Sequence, residues 1–436
     1  MTQIATAPTA PGAAGSWPSA SQSAAQRRAL ARRHYFTGTP GRMRIAAAVA
    51  SALCLTFALA GFLGLRGIDE SVDRAAANTE QVVRVRAIYA DLLAADAAVT
   101  NGFLNGGQES AENRTTYDDA MARVATSIAA AAAAQQADGK ALAALNAEVQ
   151  SYVSNVDRAR TYNREIKPVG AQYLRIAGTD LRAKALPIAA AIAEANEQRA
   201  DQELSVGALG GLVIGIGALT LGALIAIATW LARRTHRYVN VPLTAAIVLV
   251  GAALALAVSH IVTVGTTMSK VDSGDYAAAV SLARARAAAY DAKANESLTL
   301  IARGSGAAYE AAYEGSAQAA TDRLADMVRA DSTQTRLPSL LTAYTATHAA
   351  IRDADNGGDW NAAVELATST TDGSANATFS AFDTAAKDVL NTQVTNIVRA
   401  FDQIGGRYLP WASGLAAALA ALLAGRAMSQ RIEEYR

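Results

Sequence analysis

The stretch that decides the fold runs from 205 to 266. It reads SVGALGGLVIGIGALTLGALIAIATWLA (205–232), then RRTHRYVN (233–240), then VPLTAAIVLVGAALALAVSHIVTVGT (241–266). Each apolar run has the ~20 residues a helix needs to cross a hydrocarbon core. The loop between them carries Arg233, Arg234 and Arg237, and a basic cluster of this kind stays on the cytoplasmic side. The stretch therefore reads as a membrane hairpin that divides the chain into two halves of similar plan.

Working outward, residues 1–43 read as a cytoplasmic tail. They open with the Pro/Ala/Ser/Gly tract TAPTAPGAAGSWPSASQSAA, too poor in large apolar residues to form a core, and continue into a basic stretch with Arg27, Arg28, Arg32 and Arg33. The apolar run at 44–66 is too long for a secretory h-region and lacks an A-x-A cleavage site, so it reads as an uncleaved first membrane helix. A fourth run at 408–426 opens with Tyr408, Pro410 and Trp411, residues suited to an interfacial belt and a first helical turn. A tail at 427–436 with Arg431 ends inside.

The segments 67–204 and 267–407 are polar, alanine-rich and helical in period. Val85, Ile88, Leu92, Ala95 and Val99 recur at three- and four-residue spacing, as do Leu142, Leu145, Val149, Tyr152 and Val156. Gly- or Pro-bearing breaks fall at NGGQ (105–108), ADGK (137–140), KPVG (167–170), RGSG (303–306), around Pro338 and at DNGGD (355–359). Four helices per segment follow, giving an all-α membrane protein with four transmembrane helices and two extracytoplasmic antiparallel four-helix bundles. Arg84, Arg86, Asp91, Asp96 and Gly106 stand in register with Arg284, Arg286, Asp291, Glu296 and Gly306, which points to tandem duplication.

Composition excludes several function classes. A net charge of +1 gives no pull toward nucleic acid. The lone Cys54 forbids an internal disulfide or a cysteine zinc cage. The four histidines are scattered, with no H-E-x-x-H, Walker loop or G-x-S-x-G, so neither an enzyme nor a cofactor is expected. The membrane helices hold almost no ionisable groups, which argues against a transporter.

Four sets of candidate residues follow. Arg84 and Arg86, with Arg284 and Arg286, could hold a carboxylate ligand through paired guanidinium groups, or simply form a salt-bridged face. The membrane-distal turns offer Asn105, Gly106 and Gln108 with Val169 and Tyr173, and Tyr309 and Tyr313 with Asp359 and Trp360, for a protein partner. Arg27, Arg28, Arg32, Arg33, Arg233, Arg234, Arg237 and Arg431 would form the cytoplasmic output. Gly207, Gly211 and Gly215 make a G-x-x-x-G-x-x-x-G row that lets another helix approach, expected within the membrane bundle.

The bundle segments resemble the four-helix ligand domain of bacterial chemoreceptors, the match lying in AIRDADNGGDWNAAVELATS (350–369). No HAMP-like segment or long cytoplasmic hairpin accompanies them. The whole plan of four membrane helices, two outer bundles and a basic tail resembles the actinobacterial GlnX-like membrane signal-relay proteins. That resemblance implies an amino-acid signal brought by a docked extracytoplasmic solute-binding lipoprotein and read by a cytoplasmic serine/threonine kinase. Self-association into a homodimer stays open. The rival reading is a scaffolding protein of an envelope assembly.

Overall fold

The computed structural model describes residues 38–204, 207–235, 240–404 and 406–433. Thirteen α-helices lie among them, and no strand does: α1 (Gly38–Phe103), α2 (Ala111–Ala134), α3 (Gly139–Arg164), α4 (Val169–Asp180), α5 (Leu186–Leu204), α6 (Gly207–Thr235), α7 (Val241–Val271), α8 (Ala277–Ile301), α9 (Ala307–Ala330), α10 (Arg336–Asn356), α11 (Trp360–Thr368), α12 (Ala375–Gln403) and α13 (Leu409–Glu433). Helix starts have local causes. Ser110, Asp359 and Ser374 accept from the backbone N–H groups of Asn113, Ala362 and Ala377 and cap α2, α11 and α12. The break expected around Pro338 falls earlier, at 331–335, and Pro338 sits in the first turn of α10, where its missing N–H leaves no bond unmade. One helix was not anticipated: α11 is a short extra helix that ends at Thr368 with Ser369 extended, and Gly373 in the loop ahead of α12 is left-handed.

Two junctions are π-helical rather than broken. Leu181–Ala185 joins α4 to α5, and Asp272–Tyr276 joins α7 to α8. The first has a visible cause in Pro187, which cannot donate to the carbonyl of Ala183 and crowds it, so the ladder widens to i→i+5 just upstream. At the second, Gly274 adopts φ −108°, ψ −107°, outside the helical region.

The chain divides into two compact units. One comprises the described part of Met1–Leu65 with Gly211–Val258 and Tyr408–Arg436, that is, the first turns of α1 with most of α6, the bulk of α7 and α13. All four helices are long and apolar enough to cross a membrane. Their outer surface is apolar, unlike that of a water-soluble domain, and glycine, serine and threonine lie at the helix contacts. Glycines at the helix contacts admit larger neighbours or small ones: Gly217 faces Leu254 and Phe57, Gly414 faces Phe62, and Gly61 faces Ser413. Ser51 and Thr220 donate to the carbonyls of Ala421 and Leu53. Leu55, Leu59, Leu63, Leu219, Val248, Leu415 and Leu422 point outward. Large apolar groups outside and small ones between helices are what a hydrocarbon solvent selects, so this is a membrane protein's unit. The row Gly207, Gly211 and Gly215 has no neighbour within 4 Å. The expectation that it packs within the bundle is corrected: the close contacts of this helix are made off that row, by Gly210 against Ile261 and by Gly217 against Leu254 and Phe57.

The second unit comprises Arg66–Gly210 and Ser259–Arg407. Its two halves share a helix-by-helix correspondence of buried positions. Tyr117, Val124, Ile128 and Ala131 of α2 match Tyr313, Ala320, Leu324 and Met327 of α9. Leu145, Val149, Tyr152, Val156 and Ala159 of α3 match Leu337, Leu341, Tyr344, His348 and Ile351 of α10. In the fourth helices Leu174, Leu181, Ala185 and Ala189 match Ala375, Phe382, Ala386 and Leu390 at one constant offset. The halves do not stand apart. The alanine-rich faces of α1 and α8 are buried almost all round over 90–102 and 278–300, so the two halves form a single compact body.

Candidate functional site

Alanine at Ala283, Ala287 and Ala288 keeps the α8 side of one flank shallow, leaving a cavity of about 450 Å³ in the second unit. Four arginines line it: Arg86 from α1, Arg182 from the π-helical turn, Arg284 from α8 and Arg323 from α9, with Tyr89, Asp291 and Ser316. Of the four arginines read from the sequence, the structure brings only Arg86 and Arg284 together. Both donate to one carboxylate, Glu197 of α5: Arg86 Nη2 at 2.9 Å and Arg284 Nη2 at 3.1 Å to each oxygen. Arg86 Nε is buried and has no acceptor.

Arg182 is the cross-tie. Its Nη1 donates to Asp96 (2.8 Å) and to the Gly178 carbonyl, while Nε and Nη2 donate to Asp291 (2.9 and 2.6 Å). Burial disfavours its charge, but Asp96 and Asp291 outweigh that and hold the guanidinium above its ordinary value. Asp291 also accepts from Ser316 (2.7 Å), so one carboxylate joins α5's lead-in, α8 and α9. Tyr89, against the same wall, has its phenol pushed up by burial and then by Asp291, and stays a neutral donor.

Arg286 and Arg84 stand elsewhere. Arg286 is buried and bonded to Asp383 (2.7 Å), itself held by Lys387 (2.6 Å), and it does not line this cavity. Arg84 pairs along its own helix with Glu80 and Gln81. The sequence reading missed Glu197, Arg182, Arg323 and Tyr89. Only Pro187, five positions after Arg182, offered a signal, marking an irregular helix there.

The distal turns are also laid out. Gly106 adopts φ +61° and is exposed with Gln108, and Asn105 is half-buried. Val169 is exposed, and Tyr173 stacks on Tyr162 at 5.5 Å. Tyr309 is half-buried, Asp359 caps α11, and Trp360 donates to the Leu300 carbonyl (3.1 Å) with the Arg303 guanidinium 4.0 Å above its ring. Tyr313 is corrected as a contact residue: it is buried, stacked on His348 at 3.4 Å, and cannot present its ring to a partner. Of the cytoplasmic set, Arg233 and Arg234 are exposed in the last turn of α6. Arg27, Arg28, Arg32, Arg33, Arg237 and the Arg431 side chain lie outside the described residues.

Residues 71–205 match the family described as Actinobacterial sensor domain. The match covers under a third of the chain and includes Arg86, Arg182 and Glu197. It supports a sensor protein of actinobacterial type. Neither the curated proteins nor the solved structures include a match to this chain.

Proposed function

We propose that this protein is a membrane-spanning sensor whose arginine cavity binds a small dicarboxylate, acidic amino acids included. The observation that carries the reading is the convergence on Glu197 of Arg86 and Arg284, two of the four arginines that line one cavity. Glu197 is a resident counter-ion in the place a ligand carboxylate takes. Arginine forks suit carboxylates geometrically, and Asp291 is positioned to accept from an ammonium group. In this reading the two halves are extracytoplasmic bundles with both chain termini in the cytoplasm, and the role is not catalytic. By resemblance, the amino-acid signal can also arrive on a docked solute-binding lipoprotein at the distal turns around Trp360. A cytoplasmic serine/threonine kinase reads the change through Arg233, Arg234 and the neighbouring basic segments.

Calorimetry on the full-length chain in lipid nanodiscs tests the ligand class. L-aspartate and succinate are expected to bind, and Arg284→Gln to weaken both about tenfold, equivalent to ~1.4 kcal/mol. Equal affinity in the wild type and in Arg284→Gln would overturn the assignment.

A further inference from the structure

We propose that the chain carries a second ligand site, the duplicate of the arginine cavity, and that it takes a net-neutral zwitterion of amino-acid size. The arginine cavity is walled by α1 and the α4–α5 junction of the first half and by α8 and α9 of the second. Exchanging the halves predicts a counterpart walled by α8 and α12 of the second half and by α1 and α2 of the first. A cavity of about 270 Å³ lies there. That volume is below the usual range for drug-sized ligands and suits a small metabolite.

The chemistry of the copy has diverged. At the offset that matches the fourth helices, Arg182 is replaced by Asp383. The arginine cavity is lined by four cationic side chains and one carboxylate, Asp291, with Glu197 and Asp96 pairing three of the arginines from outside the lining, whereas the second is lined evenly: Arg123, Lys293 and Lys387 against Glu112, Asp119 and Asp383. A dianion would meet three carboxylates and a diamine three cations, so both are disfavoured. A zwitterion meets complementary charge at both ends.

The interior is prepared for such a molecule. Asn101, Lys293 and Asp383 line the cavity although each is less than a tenth exposed. Lys293 Nζ donates to Glu296 (2.7 Å) and to the Ala367 carbonyl (3.3 Å), leaving one of its three N–H groups for a carboxylate. Asn101 is fixed by donors from Asn113 and Asn376 at 3.1 and 3.2 Å. Tyr290 and Phe379, edge to face at 4.9 Å, supply an apolar wall. Glu112 and Asp119 are exposed on α2, where they attract an ammonium group.

Titration of the full-length chain in nanodiscs with each neutral proteinogenic amino acid, and with putrescine and succinate as charged comparators, tests this. At least one neutral amino acid binds and putrescine does not. Thr116→Phe and Ser380→Phe fill the cavity from exposed helix positions without touching the buried ion pairs. Each lowers that affinity about tenfold or more with the melting temperature unchanged. Arg284→Gln leaves it unchanged. Succinate is to show the reverse pattern, so a failure of either site is read separately. The proposal is overturned if no neutral amino acid binds up to about 10 mM, if the two Phe variants leave binding intact, or if Arg284→Gln abolishes it.

Discussion

At the scale of single residues, Glu197 organises the arginine cavity. It neutralises Arg86 and Arg284 and competes with any incoming carboxylate. Glu197→Gln removes the competitor while keeping the shape, so dianion affinity should rise about tenfold by calorimetry. A loss of affinity would mean that Glu197 positions the arginines rather than occupying the ligand's place. The buried pair Arg286–Asp383 makes a separate statement about stability. Burial opposes ionisation of Asp383, but Arg286 and Lys387 outweigh it and hold the carboxyl below its ordinary value. Glu296 is likewise depressed, with Lys293 and His348 overcoming burial. A carboxyl with a lowered folded-state pKa stabilises the fold above its unfolded pKa of about 4, and that contribution is lost as pH falls further. Thermal melts should therefore drop steeply below about pH 4. Asp383→Asn should cost about 3–5 kcal/mol at neutral pH by leaving Arg286 buried without its charge partner, and should flatten the acid slope. The repeated Arg-x-Arg pairs were legible in the sequence because the duplication displays them twice. Glu197 was not, since it is one acidic residue in an alanine-rich helix and its partners lie 111 and 87 positions away.

At the scale of elements, the π-helical turn at Leu181–Ala185 rotates everything downstream relative to an unbroken helix, and it carries Arg182, which bonds both Asp96 and Asp291. Pro187→Ala restores the missing donor and lets the helix close to i→i+4. The expected result is a helix at least as stable by thermal melt but a cavity with Arg182 displaced and dianion affinity lowered. Unchanged affinity would assign the turn no role in the site. The membrane helices give a paired test of packing. A Cβ at Gly64 would overlap the stiff Val213 side chain, whereas Gly211 faces open space. Gly64→Leu should destabilise the unit by about 1–3 kcal/mol through overpacking, measured as a drop in melting temperature in detergent, and Gly211→Leu should be neutral. Helix period and glycine turns made these elements readable. The π-helical turns were not, because in alanine-rich helices small residues on several faces hide a one-residue shift in the phase of the apolar stripe. The orientation of the glycine row was not readable either, because a second face of the same helix also carries glycines, Gly210 and Gly217.

At the scale of the whole molecule, membrane helices and polar helical halves were visible from hydropathy alone, as was the duplication. What the sequence could not show is that the halves form one compact body, since that depends on which face of each alanine-rich helix is shared. Alanine is equally at home in a bundle core and between bundles. The consequence is functional: each lateral cavity draws on both halves, so a ligand there bears on α1 and α8 together. α1 is one uninterrupted helix from Gly38 to Phe103, and it contributes both Arg86 and the membrane residues Ala46 and Val49. A shift of about 1–2 Å along such a helix is enough for signalling. The most direct test places cysteines at Ala46 and Ile227, which line one surface cavity of the membrane unit, in a Cys54→Ser background. The rate of disulfide formation between them is then measured in nanodiscs with and without saturating L-aspartate. The account predicts a rate changed several-fold by the ligand in the wild-type cavity and unchanged in Arg284→Gln; identical rates with and without ligand, at a concentration where calorimetry shows the cavity filled, would contradict it.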